Sequence, residues 1–284
     1  MIPNVLTIAG TDPTGGAGIQ ADLKTFSALG AYGMSVITAV VAQNTRGVRS
    51  FRVLDPDEVA AQIDAVFDDV RVDAVKIGMV ATADIAAAIA DRLVHYEAAR
   101  VVLDPVMVAK SGDQLLLPDA VAALRERLVP LSTVITPNLP EAGVLLDRPE
   151  PDSLAAMHST LPPLRALGAD WVLLKGGHLA GDESIDLLMG ARNIIELRAP
   201  RVVTPNTHGT GCTLSAAIAA LLPRLPMEES VRHAKAYLSD AIAHADELDV
   251  GHGHGPVHHF HAWWQRDPTA LTPHNDALRS PHGH

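Results

Sequence analysis

Short apolar segments alternate with amphipathic segments along most of the chain. The apolar segments have the length and the β-branched content of buried strands. Segments with helical spacing separate them, at 18–30, 55–70, 83–96, 119–129 and 153–167. Strands that are apolar throughout and separated by helices indicate parallel pairing in a sheet covered on both faces. We therefore predict an α/β fold with a central, mostly parallel sheet. Its strands are NVLTIAG (4–10), SVITAVVAQ (35–43), AVKIG (74–78), VVLD (101–104), TVITPN (133–138) and WVLLKGG (171–177).

Local signals refine this outline. Asp55, Pro56 and Glu58 stand in the order that predicts a helix N-cap with a capping box.

ESIDLLMG (183–190) and NIIELRAP (193–200) are close enough along the chain to pair as a hairpin, and helices are expected near 210–222 and 227–248. We expect a single domain over residues 1–265. The stretch 266–284 has no periodicity and is predicted to be a disordered tail.

Composition narrows the class of ligand. A formal net charge of −11 and an aromatic content of 4% argue against a nucleic-acid partner, which needs a basic face and stacking platforms. No apolar run approaches the ~18 residues that a membrane span requires. We expect no signal peptide, because the N-terminus lacks a basic region, and the single cysteine fits a reducing cytoplasm. These observations favour a cytoplasmic protein with a small-molecule ligand.

Polar residues follow the predicted strands, where ligands bind in open parallel sheets. Each of these residues could simply belong to a turn or a helix cap. Taken together, however, Asp104, Glu141 and Lys175 are the types of residue that bind Mg²⁺ and phosphates. The residues at or just after the strand ends are Gly10, Asp12, Gln43, Asn44, Met79, Asp104, Asn138, Glu141 and Lys175.

The loop GTDPTGGAG (10–18) partly matches two phosphate motifs. A P-loop requires Gly-Lys-Ser/Thr, and here Gly15 is followed by Gly16. GAGIQA (16–21) fits the dinucleotide fingerprint, but no acidic residue follows at the position that binds ribose. Consecutive glycines at the start of a helix still predict that a ligand approaches the backbone closely.

The segment HGTGC (208–212) precedes a helix whose apolar stripe is expected to dock on the sheet. Free N–H groups and the dipole at a helix N-terminus form an anion site, and Gly209 and Gly211 leave the backbone accessible. Cys212 falls among these amides, so a role in chemistry is favoured over a purely apolar one. The histidine-rich segment 251–261 is expected either to pack as a C-terminal element or to have adventitious metal affinity, with a structural zinc site as the minor alternative.

Several of these segments together resemble one enzyme family. The chain is similar over residues 4–265 to the hydroxymethylpyrimidine/phosphomethylpyrimidine kinases, the thiamine-biosynthetic branch of the ribokinase superfamily. The resemblance implies a three-layer ribokinase-like fold and an ATP- and Mg²⁺-dependent kinase that phosphorylates 4-amino-5-hydroxymethyl-2-methylpyrimidine and then its monophosphate. It also implies a homodimer. The segments are GTDPTGGAGIQADLKTFSALGAYG, VVAQNTRGV, KIGM, VVLDPVM, TPNLPEA, LLKGGH, TPNTHGTGCTLSAA and GPVHHFHAWW.

The resemblance also implies roles for individual residues. Gln43 would bind the aminopyrimidine edge, helped by the backbone near Gly10 and Val41, and Asp22 and Met79 would line the same pocket. Lys175 would bind the ATP phosphates, Asp104, Asn138 and Glu141 would place the metal, and Thr204 and Thr210 would lie on the nucleotide side. The amides of Gly209, Thr210, Gly211 and Cys212 would form the anion hole.

Cys212 stands where the wider superfamily has an aspartate base. A free thiol has a pKa of ~8.5, and we expect the helix N-terminus to lower the pKa of this one, which would make a cysteine base workable. The anion hole and Lys175 are expected to contribute more to catalysis than the base does, because phosphoryl transfer depends mainly on positioning and charge.

Three other functions remain open at this stage. A kinase of the same superfamily could favour pyridoxal or pyridoxine, although Gln43 and Met79 favour a pyrimidine. A non-catalytic pyrimidine sensor would have no need of Asp104, Glu141, Lys175 and Cys212 together. A dinucleotide-dependent oxidoreductase lacks its ribose-binding acid.

Overall fold

The computed structural model describes residues 1–107, 118–177 and 179–264. Its main sheet has eight strands in the order β10-β9-β8-β7-β6-β5-β1-β2. In this order, each strand from β8 through β7, β6, β5 and β1 to β2 pairs in parallel with the next. The pairs β8–β9 and β9–β10 are antiparallel. The bounds are β1 (Asn4–Ala9), β2 (Tyr32–Ile37), β5 (Ala74–Ile77), β6 (Val101–Leu103), β7 (Val134–Ile135), β8 (Trp171–Lys175), β9 (Glu183–Met189) and β10 (Ile194–Pro200).

Helices cover both faces of this sheet and form two apolar cores. Phe26, Ile218 and Val231 belong to the core on one face, which packs α1 (Gly18–Ala28), α7 (Thr210–Leu221) and α8 (Met227–Ala243). The other core packs α2 (Pro56–Phe67), α3 (Ala83–His95), α4 (Pro118–Ala123), α5 (Leu139–Leu146) and α6 (Leu154–Arg165). Each fully buried Ile or Leu contributes about 1.5–3 kcal/mol. The predicted three-layer α/β fold and its β9–β10 hairpin are confirmed.

The segment 35–43 is not one strand, as its uniform apolar character predicted. The chain leaves the main sheet at Thr38, whose hydroxyl donates to the Met79 carbonyl over 2.6 Å. It then forms β3 (Ala39–Asn44), which pairs antiparallel with β4 (Gly47–Val53) in a separate two-stranded sheet. Sequence patterning missed β4 because its middle residues, RSFR, are exposed and mostly polar. Gln43 therefore projects from this small sheet and not from the end of a main-sheet strand.

Two helix predictions also need correction. Asp55 is the N-cap of α2, but its carboxylate bonds no backbone amide, so the predicted capping box is absent. Asp55 is solvent-exposed, so water can satisfy its carboxylate without a hydrogen bond to a backbone amide. The helix predicted over 119–129 ends its α-helical part at Ala123 and continues as a π turn (Leu124–Leu128) and a 3₁₀ turn. Pro130 lies in that last turn and cannot continue an α-helix.

The histidine-rich segment packs against the helical layer, as predicted. His258 and His259 are both buried. The His258 N–H donates to the Ala241 carbonyl over 2.9 Å, and the Tyr237 hydroxyl donates to the His259 carbonyl over 2.7 Å. The predicted tail at 266–284 lies outside the described residues, and the single-domain boundary at 265 stays a prediction. Within the described ranges, no helix is both long and apolar enough to span a membrane.

Candidate active site

A cavity of about 470 Å³ opens at the carboxyl ends of the parallel strands. Every residue that the sequence proposed for the site lines it, with the exceptions of Asp22, Asn44 and Thr204. The structure thus brings together groups from β1, β3, β5, β8, α5 and α7 that are far apart along the chain. Their convergence at this edge is what parallel-sheet topology predicts.

One wall of the cavity is apolar and suits a flat heterocycle. Val41 and Met79 belong to a small buried cluster behind it. A β-carbon added at Gly10 would lie 3.1 Å from the Met79 sulfur, so glycine keeps this wall open. The Val41 N–H already donates to the Thr11 hydroxyl over 2.9 Å and is not available to a ligand. Gln43 belongs to β3 and also lines the cavity, to which it brings an uncharged amide side chain.

Lys175 lies between two carboxylates in another part of the cavity. Its Nζ is 3.0 Å from Asp104 Oδ1 and 3.9 Å from Glu141 Oε2. The Thr136 and Ser215 hydroxyls also donate to Asp104, over 3.0 and 3.3 Å. Burial opposes ionisation of Asp104, but the positive charges of Lys175 and Lys76 and the hydrogen bonds together hold the pKa of Asp104 below its usual range.

Glu141 occupies the first turn of α5, where the sequence Asn-Leu-Pro-Glu builds a capping box. The Asn138 side chain accepts from the Glu141 N–H, and the Glu141 carboxylate accepts from the Asn138 N–H, each over 2.8 Å. This arrangement aims the carboxyl into the cavity. Burial raises the pKa of Glu141 to about 7, although Lys175 opposes the rise.

Asp104 and Glu141 suit a Mg²⁺ ion that arrives with phosphates. Mg²⁺ prefers oxygen ligands and usually retains several waters beside one or two carboxylates. Asp104 Oδ1 is shared with Lys175 and Thr136, whereas Glu141 Oε2 accepts from one backbone amide only. In the ranges that the structure describes, no cluster of three potential ligands forms a site for a tightly held metal.

The glycine-rich loop after β1 uses its own amides internally. The Asp12 carboxylate accepts from the N–H groups of Thr14, Gly16 and Ala17, over 2.9, 3.1 and 2.8 Å. His208 Nε2 lies 2.7 Å from the same carboxylate. Burial disfavours the charged form of Asp12, but the hydrogen bonds, led by His208, keep its pKa well below the usual range. A loop whose amides are already bound to a carboxylate has no place for a phosphate, which removes the P-loop and dinucleotide interpretations.

The second glycine loop, at the start of α7, leaves some of its amides free, although the Thr210 N–H lies 3.5 Å from the Thr207 carbonyl. Gly209 is the N-cap at φ +80°, and a β-carbon there would overlap the Gly16 carbonyl oxygen, so glycine permits the two loops to touch. The N–H groups of Gly211 and Cys212 have no hydrogen-bond partner among the described residues. A β-carbon at Gly211 would lie 3.3 Å from Lys175 Nζ, so these amides and the ammonium face the same space. The arrangement can hold an anion.

Cys212 is half-buried in the first turn of α7, yet its thiol is not activated as expected. Burial raises the pKa of Cys212 to about 11, and the carboxylates of Asp22 and Asp104 add to the rise. The Lys76 ammonium and the Gly18 N–H act in the opposite direction but do not prevail. The expectation of a lowered pKa was wrong because it weighed the helix terminus without the groups that the fold places around the sulfur.

Two further expectations change. Asp22 does not line the cavity: it is fully buried below it, where it accepts from the Thr7 hydroxyl over 2.6 Å and from Lys76 over 2.9 Å. Thr204 lies outside the cavity lining, and its hydroxyl donates to Asp246 over 2.7 Å. Their assigned substrate and nucleotide roles stay predictions.

Sequence reasoning missed two cavity residues, Lys76 and His208, as functional groups. A signal for Lys76 was present, since a lysine inside the otherwise apolar strand AVKI is unusual. His208 carried no comparable signal, because its partner Asp12 is 196 positions away in the sequence.

The sequence profile of the phosphomethylpyrimidine kinase family matches residues 12–258. The chain belongs to this family. It is 61% identical over 262 residues to the hydroxymethylpyrimidine/phosphomethylpyrimidine kinase of Escherichia coli K12, covering 92% of this chain and 98% of that one. The corresponding enzyme of Rhizobium meliloti is 56% identical over 261 residues, with 92% and 98% of the two chains covered.

Solved structures of this kinase family and of pyridoxal kinases share the fold. The pyridoxal kinase of Bacillus subtilis, in complex with ADP, superposes with a TM-score of 0.85 at 38% identity, over 91% of this chain and 98% of that chain. The phosphomethylpyrimidine kinase of Clostridium difficile 630 gives a TM-score of 0.75 at 44% identity, over 84% and 99%. The ribokinase-like architecture is therefore established.

Proposed function

We propose that the protein transfers the terminal phosphoryl group of ATP to the hydroxymethyl oxygen of 4-amino-5-hydroxymethyl-2-methylpyrimidine, and then to the resulting monophosphate, for thiamine biosynthesis. One observation carries this proposal: a single cavity joins an apolar wall bearing Gln43 to the free amides of Gly211 and Cys212 beside Lys175. A flat ring with a hydroxymethyl group and a triphosphate are the ligands that this combination suits. Membership of the kinase family supports it.

Catalysis in this site rests on positioning and charge. The Gln43 amide binds the aminopyrimidine edge, and the wall formed by Met79 and Val41 holds the ring. The N–H groups from Gly209 to Cys212 and the Lys175 ammonium stabilise the charge that develops on the transferred phosphoryl group. Preorganised donors of this kind contribute about 10²–10³ each in rate. The thiolate form of Cys212 is placed to accept the substrate's hydroxyl proton and becomes a thiol in doing so; burial makes this thiolate costly to form.

Asp104 and Glu141 would hold Mg²⁺, partly through water, with Asn138 orienting Glu141. The ion supplies positive charge that neutralises the phosphates. We also propose, on the family resemblance alone, a homodimer in the cytoplasm, and sedimentation of the purified protein would measure the oligomeric state.

The test is ADP release by the folded protein with Mg·ATP and the hydroxymethylpyrimidine. Turnover above the ATPase background is expected, and Lys175→Met should abolish it. No turnover in a sample with a cooperative melting transition would reject the proposal.

A second candidate, pyridoxal phosphorylation, is favoured by the similarity to the Bacillus subtilis pyridoxal kinase. Comparing kcat/KM for the two ring types separates the candidates. Gln43 predicts a preference for the aminopyrimidine, and a higher kcat/KM for pyridoxal would reverse the assignment.

A further inference from the structure

A buried ion pair lies directly below the cavity floor. Lys76, in the central strand β5, and Asp22, in α1, are both fully buried, and Lys76 Nζ is 2.9 Å from Asp22 Oδ2. The Thr7 hydroxyl donates to the same oxygen. Taking two charges out of water is costly, and apolar side chains of similar volume are often at least as stabilising. The position of the pair therefore calls for an explanation other than packing.

The pair is incompletely satisfied. Asp22 Oδ1 has no hydrogen-bond partner in the described structure. An ammonium has three donors, and Lys76 uses one of them on Asp22, its single hydrogen-bond partner among the described residues. A β-carbon at Gly78 would lie 2.8 Å from Lys76 Nζ, so glycine reserves the space that this ammonium occupies. Lys76 and Cys212 both line the cavity, and the other two donors of the ammonium have no partner among the described residues.

The charged groups around the Cys212 sulfur come from four elements. Lys76 belongs to β5, Asp22 to α1, Asp104 follows β6, and Lys175 ends β8. Burial and the two carboxylates oppose the charged form of the thiol, and Lys76 is the strongest influence that favours it. After Asp22, Cys212 is the group whose charge interacts most strongly with Lys76.

We propose that Lys76 is a positioning residue for Cys212: its ammonium, held in place by Asp22, provides the positive charge opposite the sulfur at the cavity floor. Lys175 is already engaged with Asp104 and Glu141 on the phosphate side. The site then has two lysines with separate tasks, one for the phosphates and one for the thiol. The catalytic meaning of this division rests on the proposed kinase function, whereas the pairing of Lys76 with Cys212 does not.

The chain offers a direct test, because Cys212 is its only cysteine. The rate of alkylation by iodoacetamide reports the thiolate fraction of that one residue. Below the titration midpoint, the ratio of rates at a fixed pH equals the ratio of thiolate fractions. Lys76→Met should slow alkylation by about tenfold or more, since it removes a unit charge close to the sulfur. The ultraviolet absorbance of the thiolate, followed against pH, separates this effect from a change in access.

Asp22→Asn provides the opposite change. It removes a carboxylate that opposes the thiolate and leaves Lys76 in place, so alkylation should become faster than in the unmodified protein. Damage to packing would instead change the alkylation rates of Lys76→Met and Asp22→Asn in the same direction. Asp22→Asn also keeps the proposal testable if Lys76→Met does not fold, because a rate at or below that of the unmodified protein overturns it.

Lys235→Met is the matched control. Lys235 forms another buried lysine–aspartate pair, with Asp186 at 2.6 Å, and neither residue lines the cavity. Its alkylation rate should stay within about twofold of the unmodified protein. An unchanged rate in Lys76→Met, or an equal slowing in Lys235→Met, would overturn the proposal. Neither ATP nor the aminopyrimidine is present in this titration, so its failure is distinct from a failure of the kinase assignment.

Discussion

Gly211→Ala should make the protein more stable and nearly inactive. Gly211 is the second residue of α7, and its backbone is not in the left-handed region. Alanine in a helix is more stable than glycine by up to about 1 kcal/mol. The added β-carbon would lie 3.3 Å from Lys175 Nζ and 3.5 Å from Asp104 Oδ2. The lysine end can retract slightly, so the fold should accommodate the methyl group.

The same methyl group would enter the space between Gly211, Lys175 and Asp104, where the phosphoryl group is proposed to bind. Loss of one anion-hole donor costs about 10²–10³ in kcat, and we expect a loss in this range. A gain of 0.5–1 kcal/mol corresponds to a rise in Tm of about 1–3 °C for a protein of this size. Differential scanning calorimetry and ADP release, measured on the same preparation, give both quantities.

Gly209→Ala is the matched control, two residues away. Gly209 has φ +80°, and its β-carbon would overlap the Gly16 carbonyl oxygen. This variant should lose about 1–3 kcal/mol of stability, with activity falling as the two loops separate. If Gly211→Ala kept more than about half of the wild-type kcat, the assignment of the anion hole would be refuted. A lowered Tm in Gly211→Ala would refute the packing argument.

Three other outcomes follow from the protonation states. Burial raises the pKa of Glu141 to about 7, so the Mg²⁺ concentration needed for half-maximal activity should increase as the pH falls from about 8 to 6. Glu141→Gln should remove this pH dependence of the Mg²⁺ requirement. A wild-type Mg²⁺ requirement that does not change with pH would contradict the prediction. Burial lowers the pKa of His259 from 6.5 to about 3, so below pH 6.5 the unfolded chain binds a proton that the folded chain does not. The free energy of unfolding, measured in urea, should therefore decrease as the pH is lowered, and this group alone should account for about 2 kcal/mol at pH 5. The decrease should be smaller in His259→Asn. An equal decrease in the two proteins would count against a buried neutral imidazole. With the pKa of Cys212 at about 11, kcat should rise about tenfold per unit between about pH 7 and 9, and Cys212→Ser should bind ATP while losing this rise and most turnover. A near-normal kcat in Cys212→Ser would mean that the hydroxyl proton leaves through water or the phosphate.

Much of the fold could be predicted because its signals are local. Uniformly apolar strands separated by helices specify a covered parallel sheet, and the hairpin of β9 and β10 follows from two short segments three residues apart. The exceptions have tertiary causes. Thr38 turns the chain out of the sheet through a hydrogen bond to Met79, and nothing in the apolar run 35–43 announces it. The strand β4 is held by pairing with β3, and the four residues in its middle are exposed.

The sequence by itself determined which chemical groups the site contains. Asp104, Glu141 and Lys175 lie at or just after the ends of main-sheet strands, and the glycines of HGTGC precede a helix, so sheet topology and backbone freedom were enough to predict their convergence. Gln43 was also named from the sequence, but it reaches the site from the separate sheet of β3 and β4. The tertiary structure decided what those groups can do. It bound Asp12 to the amides of its own loop, placed Asp22 below the cavity, and surrounded Cys212 with burial, two carboxylates and Lys76. Charge and desolvation act through space over a few ångströms, and the groups concerned lie far apart along the chain, so no spacing in the sequence carries their balance.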